Sequence, residues 1–341
     1  MRGFIATSRQ LQQEWPSNVQ ARCLMGSVIS ALVISRKQLG DFLLLQPAME
    51  HLHSIEGCAI YCYTRSDYGA LREIMPCRPK AYNQLTEEVF DRLYCFESGR
   101  STSLLSGWIR SRRKTIGLTR PFLASWQRLV FDEVVERDAS ASYRGVVFHA
   151  MAGGDPTRFR PPALLAPPDT WLPRSLPERY LVIHPTSAWQ RKTWDVSGWR
   201  KVIQELHRRT GLHLIITAGA AEWETAMADE IALGISLPIL NFAGRTTLRE
   251  YLAVLSRASV TLCIDGSASH LSAAFGRPTL TLFGPTNPVH WHWPTHTSRR
   301  LWAGDFASEQ KPPVSAIPHL AVLDAALELL ADASQAGDGH G

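Results

Sequence analysis

The chain has 341 residues, enough for two ordinary domains at roughly 150 residues each. Hydrophobic residues make up 45% and charged residues 20%, a globular composition that excludes a disordered chain, a collagen-like repeat and a small disulfide-stapled module. The formal net charge of +5 suits an anionic ligand but is too small to imply nucleic acid, and no nucleic-acid-binding module is recognisable.

The uncharged run Cys23 to Ser35 covers thirteen residues, short of the roughly 20 that a membrane helix needs. It also sits too deep, behind Glu14, for a secretory signal. Residues 1–27 therefore read as an N-terminal extension, and the expected location is the cytoplasm. The six cysteines (Cys23, Cys58, Cys62, Cys77, Cys95, Cys263) form no CxxC or Cys/His ladder. They read as buried thiols of a reducing compartment, with no structural metal expected.

Val28 to Ser35 is rich in β-branched residues and predicts a strand, followed by a turn at Leu39-Gly40-Asp41. A helical pattern then places Phe42, Leu45, Met49 and Leu52 on one face. Short strands are expected through Ala59–Tyr63, Val89–Phe96 and Val146–Phe148. Proline-rich sequence from Pro161 to Pro177 marks an interdomain linker. Beyond it strands and helices alternate clearly: Tyr180–His184, helix 197–210 ended by Gly211, strand 212–218, helix 221–233, strand 237–242, helix 247–257, strand 259–264, helix 268–275 and strand 279–283. That alternation implies a doubly wound parallel sheet. A last amphipathic helix spans 321–330.

Three segments carry chemistry. Asp265-Gly266-Ser267 with His270 joins a buried strand to a helix, whose free N–H groups and partial positive charge suit a diphosphate. Asp265 is equally readable as an ordinary N-cap. His184-Pro185-Thr186-Ser187 leads to Lys192 at another strand's carboxyl end, where open α/β sheets bind ligands; a solvated lysine is the alternative. Asp41 reads either as a helix N-cap or as a general base.

Taken together, Leu39-Gly40-Asp41 with Pro47, His184-Pro185-Thr186 with Lys192-Thr193-Trp194, and Asp265-Gly266-Ser267 with His270 and Phe283-Gly284-Pro285-Thr286 resemble glycosyltransferase family 9, the lipopolysaccharide heptosyltransferases. The resemblance runs from about residue 28 to about residue 330. It implies the GT-B fold, an α/β architecture of two Rossmann-like, doubly wound domains facing across a cleft. It implies an inverting transfer of heptose from ADP-heptose with no cofactor and no catalytic metal. Residues 28–165 would bind the acceptor, 166–178 would be the linker, 179–332 would bind the nucleotide sugar and 333–341 would be a flexible tail. By the same resemblance Asp41 would be the base, and Lys192 would stabilise the leaving diphosphate together with Thr186 and Ser187. Asp265, Gly266, Ser267 and His270 would line the donor pocket, and Glu222 would lie near the ribose. Two departures stand out. Asp265-Gly266-Ser267 replaces the family's usual Asp-Thr-Gly or Asp-Gly-Gly, and Trp189 makes the lysine segment one residue longer.

From Ser98 to Phe131 there is no acidic residue, while Arg100, Arg110, Arg112, Arg113, Lys114, Arg120 and Arg128 interleave with Trp108, Phe122 and Trp126. This run fits an anionic glycan or glycolipid acceptor or peripheral contact with the inner membrane, and it fits a solvated helix face equally well. His290-Trp291-His292-Trp293 would either stack on a ligand ring or pack in a core. The alternatives to a heptosyltransferase are a GT-B transferase for another nucleotide sugar, for a protein or for a small-molecule acceptor; a catalytically inactive nucleotide-sugar-binding protein; and, more remotely, a GT-B epimerase.

Overall fold

The computed structural model describes residues 28–82, 88–118, 123–137, 142–174 and 176–338. The extension at 1–27 with Cys23, the side chains of Arg120 and Phe122, and residues 339–341 of the tail lie outside the described residues.

Two six-stranded sheets organise the chain. The first holds β1 (Ser30–Ser35), β2 (Ala59–Thr64), β3 (Lys80–Ala81), β4 (Phe90–Cys95), β5 (Ser111–Leu118) and β6 (Glu133–Glu136), in the order β3-β2-β1-β4-β5-β6. The second holds β7 (Tyr180–His184), β8 (His213–Ile216), β9 (Ile239–Asn241), β10 (Val260–Ile264), β11 (Thr279–Phe283) and β12 (Ser298–Trp302), in the order β12-β11-β10-β7-β8-β9. Counted from its own first strand, the second sheet repeats the order of the first. Every strand pair is parallel. In each sheet the order reverses beside the first strand, between β1 and β4 and between β7 and β10. Such a reversal opens a crevice at the strands' carboxyl ends.

The second half follows its sequence closely. The strands β7, β10 and β11 are buried along their whole length, as expected for parallel strands covered by helices on both faces. Helix Val196–Thr210 starts at Asp195, whose carboxylate accepts the Gly198 N–H at 2.6 Å. It stops at Gly211, where φ is 66° and a glycine relieves the left-handed strain. Its buried Trp199 packs edge-on against Trp194 at 5.1 Å.

The first half departs more from expectation. Val146–Phe148, read as a strand, lies inside helix Arg144–Met151, because three apolar residues fit either period. The helical pattern after β1 is split into Leu39–Leu43 and Gln46–Ser54, with Pro47 opening the second piece, where its missing N–H costs nothing. Phe42, Leu45, Met49 and Leu52 are nevertheless all buried. The strands β3, β5, β6 and β12 were not foreseen, since each is short, polar or at a sheet edge. The final helix runs on from His319 to Asp338, so the stretch expected as a flexible tail is helical up to that point.

The linker is stitched to both halves: the Leu165 N–H donates to Ile74 O at 2.8 Å, and the Leu164 N–H to Ala274 O at 2.9 Å. Trp293 packs on Tyr143 and Phe159 at 5.4 and 5.0 Å, which settles that part of the His-Trp-His-Trp segment as packing. Cys62, Cys77, Cys95 and Cys263 are buried free thiols, and burial pushes Cys263 up to about 12. Among the described residues no helix is long and apolar enough to cross a membrane.

Burial also drives two imidazoles down to about 4, His184 at the end of β7 and His292. Below the unfolded value near 6.5 the native state therefore binds fewer protons than the unfolded chain. The stability these groups contribute is complete above about pH 6.5 and is lost as the pH falls towards 4, by up to ~3 kcal/mol for fully buried His184. Urea unfolding of His184→Asn, which can keep the bond to Thr217, should show a shallower loss of stability between pH 6.5 and 4.5 than the wild type.

Candidate functional site

The crevice of the second sheet is built by the ends of β7 and β10. β7 runs into His184, Pro185, Thr186 and Ser187, all buried. The His184 Nδ1 bonds the Thr217 hydroxyl at 2.9 Å, and the Thr186 hydroxyl donates to Glu224 Oε1 at 2.8 Å. The chain then bulges through Trp189 into a single turn, Gln190–Lys192. That turn carries the Lys192 Nζ to Asp265 Oδ2, at 2.6 Å. Asp265 is only 3% exposed, so the ammonium is what keeps a buried carboxylate compensated. Asp265 is therefore not the helix cap: Gly266 holds that position, with no side-chain cap bond. Gly266 lies against Ser187, since a Cβ there would stand 3.2 Å from the Ser187 Cβ. The helix Ser267–Ala274 follows, its first N–H groups facing the crevice.

The opposing wall comes from the first half. Gln38, Leu39, Gly40 and Asp41 line the same cleft as Lys192, Asp265 and His270. Helix Leu39–Leu43 takes Gln38 as its cap, which leaves Asp41 in the first turn and not at the cap. Gly40 sits directly on the facing helix: a Cβ there would be 2.9 Å from His270 Cδ2 and 3.1 Å from Ser267 Cα. His270 is buried, and burial lowers its proton affinity; Asp265 and Asp41 push it back up, and Lys192 lowers it further. Its ring is accordingly neutral near pH 7, where it is a donor on one nitrogen and an acceptor on the other.

The cleft encloses about 480 Å³. Ala218, Gly219, Ala220, Gly244 and Leu248 line it as well. Gly244 has φ 65° and touches Thr225, while any side chain at Gly219 would collide with the Glu224 carboxylate. Both glycines let the backbone here pack directly against the first turn of helix Glu222–Leu233. Tyr251 tilts onto the His184 ring at 5.6 Å. Thr286 also lines the cleft, its hydroxyl buried with no hydrogen-bond partner among the described residues.

Asp41, Lys192, Ser187, Asp265, Gly266, Ser267 and His270 are thus brought together, and Thr186 stands behind them. Glu222 is not among them. It is exposed at the start of helix Glu222–Leu233, and Glu224, two residues on, lines the cleft instead. The fit of Gly219 around a carboxylate was the signal that could have found Glu224.

The basic run is also placed differently. Arg112, Arg113 and Lys114 lie in β5 and Arg110 just before it, at the amino end of the strand and far from the carboxyl edge that forms the cleft. They are not a helix face. Arg112 pairs with Asp91 at 3.3 Å, Arg113 with Glu133 at 2.9 Å, and the Lys114 Nζ donates to Gly107 O at 3.2 Å. No group of three or more His, Cys, Asp or Glu side chains able to hold a metal occurs among the described residues.

A family model described as glycosyltransferase family 9 (heptosyltransferase) matches residues 162–312. Lipopolysaccharide heptosyltransferase 3 of Escherichia coli (strain K12) is 32% identical over 170 residues, 47% of this chain and 49% of that protein. The match thus spans about half the length of this curated relative. Among solved structures, E. coli ADP-heptose lps heptosyltransferase II aligns with a TM-score of 0.76 and 17% identity, over 90% of this chain and 100% of that one. E. coli heptosyltransferase WaaC with ADP gives a TM-score of 0.71 at 17% identity, over 88% and 100%. These likenesses show that the two facing sheets form the expected GT-B fold. The family model runs across Thr186, Lys192, Glu224, Asp265 and His270, so the stretch that carries the cleft's second wall is similar to glycosyltransferase family 9.

Proposed function

We propose that the protein transfers heptose from ADP-heptose, by an inverting and metal-independent displacement, to an anionic acceptor of the lipopolysaccharide core. The observation that carries this reading is the meeting of Asp41, from one half, with the Lys192–Asp265 pair and the start of helix Ser267–Ala274, from the other, in one cleft. The names of the family and of its relatives support the class of substrate.

In this reading the adenosine lies beside Gly219 and Leu248, with Glu224 near the ribose. The diphosphate lies over the helix start, where backbone N–H groups attract phosphate oxygens. Lys192 has three N–H donors; Asp265 takes one and aims the others at the phosphates. The acceptor hydroxyl attacks the anomeric carbon as Asp41 takes its proton, and the bond from that carbon to the diphosphate oxygen breaks. ADP leaves with the bonding electrons, its new charge held by Lys192 and the helix. One displacement inverts the anomeric centre. Lys192 and the helix N–H groups supply the positive charge that a divalent cation would otherwise bring. Buried free thiols agree with a reducing, cytoplasmic setting, and action at the inner membrane follows from the proposed acceptor.

Asp41→Asn keeps the side chain's size and makes no cap bond to lose, so its melting temperature should match the wild type. Removing the base should slow transfer by ~10²–10⁴, read as ADP released only when donor and acceptor are both present. Lys192→Ala should slow turnover by ~10²–10³; wild-type rates would return Lys192 to a surface role. Gly40→Ala should weaken transfer while ADP binding by calorimetry persists, because the added methyl separates Asp41 from the donor wall. Loss of ADP binding in this variant would show that Gly40 shapes the donor pocket itself.

A further inference from the structure

Trp189 is more than half exposed, at 54%, yet it lines the cleft and does not face away from it. Its backbone is fixed: the Ser187 hydroxyl donates to Trp189 O and accepts the Trp189 N–H, both at 3.3 Å, and the Lys192 N–H donates to Trp189 O at 2.9 Å. The Arg191 guanidinium lies 4.6 Å from the ring centroid and the Lys192 ammonium 5.1 Å. Lys192 is engaged with Asp265. Arg191 is exposed, and its recorded contact is the indole ring. An anchored indole at the wall of a cleft, with an exposed cation stacked on it, combines an apolar plate with a positive charge. Such a plate takes a sugar ring by its C–H face, and the guanidinium takes a carboxylate or phosphate on that sugar in a planar, two-point contact.

We propose that Trp189 and Arg191 form the acceptor subsite, holding an acidic sugar ring of the acceptor across the cleft from Asp41. This rests on the transferase reading above and deepens it by naming the side chains that recognise the acceptor. The alternative role for Trp189 is to position Lys192 through the cation–π contact, and the two roles separate cleanly. A stacking plate acts on acceptor affinity alone, whereas a positioning residue acts on the donor and on turnover.

The test uses the full-length protein, ADP-heptose, and deacylated lipopolysaccharide core oligosaccharide that lacks terminal heptose as the acceptor probe. Trp189→Ala should raise the KM for the oligosaccharide by about tenfold, with kcat within about twofold and ADP affinity by calorimetry unchanged. Trp189→Phe should recover most of the loss, since a smaller plate remains. Arg191→Gln should raise the same KM, but only for the native oligosaccharide. With a probe whose carboxyl groups have been reduced to alcohols and whose phosphates have been removed, it should match the wild type. Unchanged acceptor KM in Trp189→Ala overturns the subsite, and so does a loss confined to kcat or to ADP binding, which would make Trp189 a support for Lys192. If the wild type binds ADP but neither transfers to nor binds any core oligosaccharide in saturation-transfer NMR, the acceptor reading itself fails and the subsite with it.

Discussion

The close approach of Gly40 to helix Ser267–Ala274 is the constraint on which the site depends. Two sheets of identical strand order, joined by a proline-rich linker, offer two separate crevices, and neither alone contains both Asp41 and the Lys192–Asp265 pair. A residue without a side chain lets the first turn after β1 settle on Ser267 and His270. The carboxylate of the next residue then stands beside the start of the facing helix. Arg249 pairing with Glu73 at 2.8 Å and the linker bonds to Ile74 and Ala274 hold the same apposition from its other side.

Within the cleft the charge balance is unusual for a proposed diphosphate site. The lining holds one cation, Lys192, against the carboxylates of Asp41, Glu224 and Asp265. A broadly positive basin is therefore not what would attract the donor. Directed donors would do so: the helix N–H groups and a lysine whose direction Asp265 sets. Asp265 also spreads its influence to His270, raising an affinity that burial lowers. The neutral imidazole can then donate or accept without adding a charge that would compete with Lys192.

How much of this could be read from the sequence follows from burial. The strands β7, β10 and β11 are covered on both faces, so unbroken apolar runs reveal them, and Asp195 and Gly211 mark the ends of their helix. The first half hides three of its strands, β3, β5 and β6. Ser111-Arg112-Arg113-Lys114 reads as a one-signed basic stretch along the chain, but parallel pairing sets it between β4 and β6, whose Asp91 and Glu133 neutralise two of the arginines. Charge along a sequence is not charge in space when the neighbours come from other strands. That Glu224 and not Glu222 lines the cleft has a similar origin. Ala218-Gly219-Ala220-Ala221 has no periodicity to set a register, and only the space at Gly219 tells which carboxylate turns inward.

The two halves share a topology but not a use, and the difference lies in what fills each crevice. At the ends of β7 and β10 the residues are small: Ser187, Gly266 and Ser267, with Gly219 and Gly244 on the next turns. Their backbones come close together and leave room for a ligand. At the end of β1 the corresponding space is taken by the protein itself. Lys37 lies over the Phe148 ring at 5.2 Å, the Tyr68 hydroxyl donates to Lys37 O at 3.2 Å, and the Arg36 N–H donates to Glu97 at 2.6 Å. These contacts put the protein's own aromatic and charged side chains at the end of β1. What this end presents across the gap is the single carboxylate of Asp41, carried on a turn that its own packing makes rigid. The division of labour proposed for the reaction, with the nucleotide held by the second half and the base supplied by the first, thus agrees with the side chains found at two equivalent strand ends.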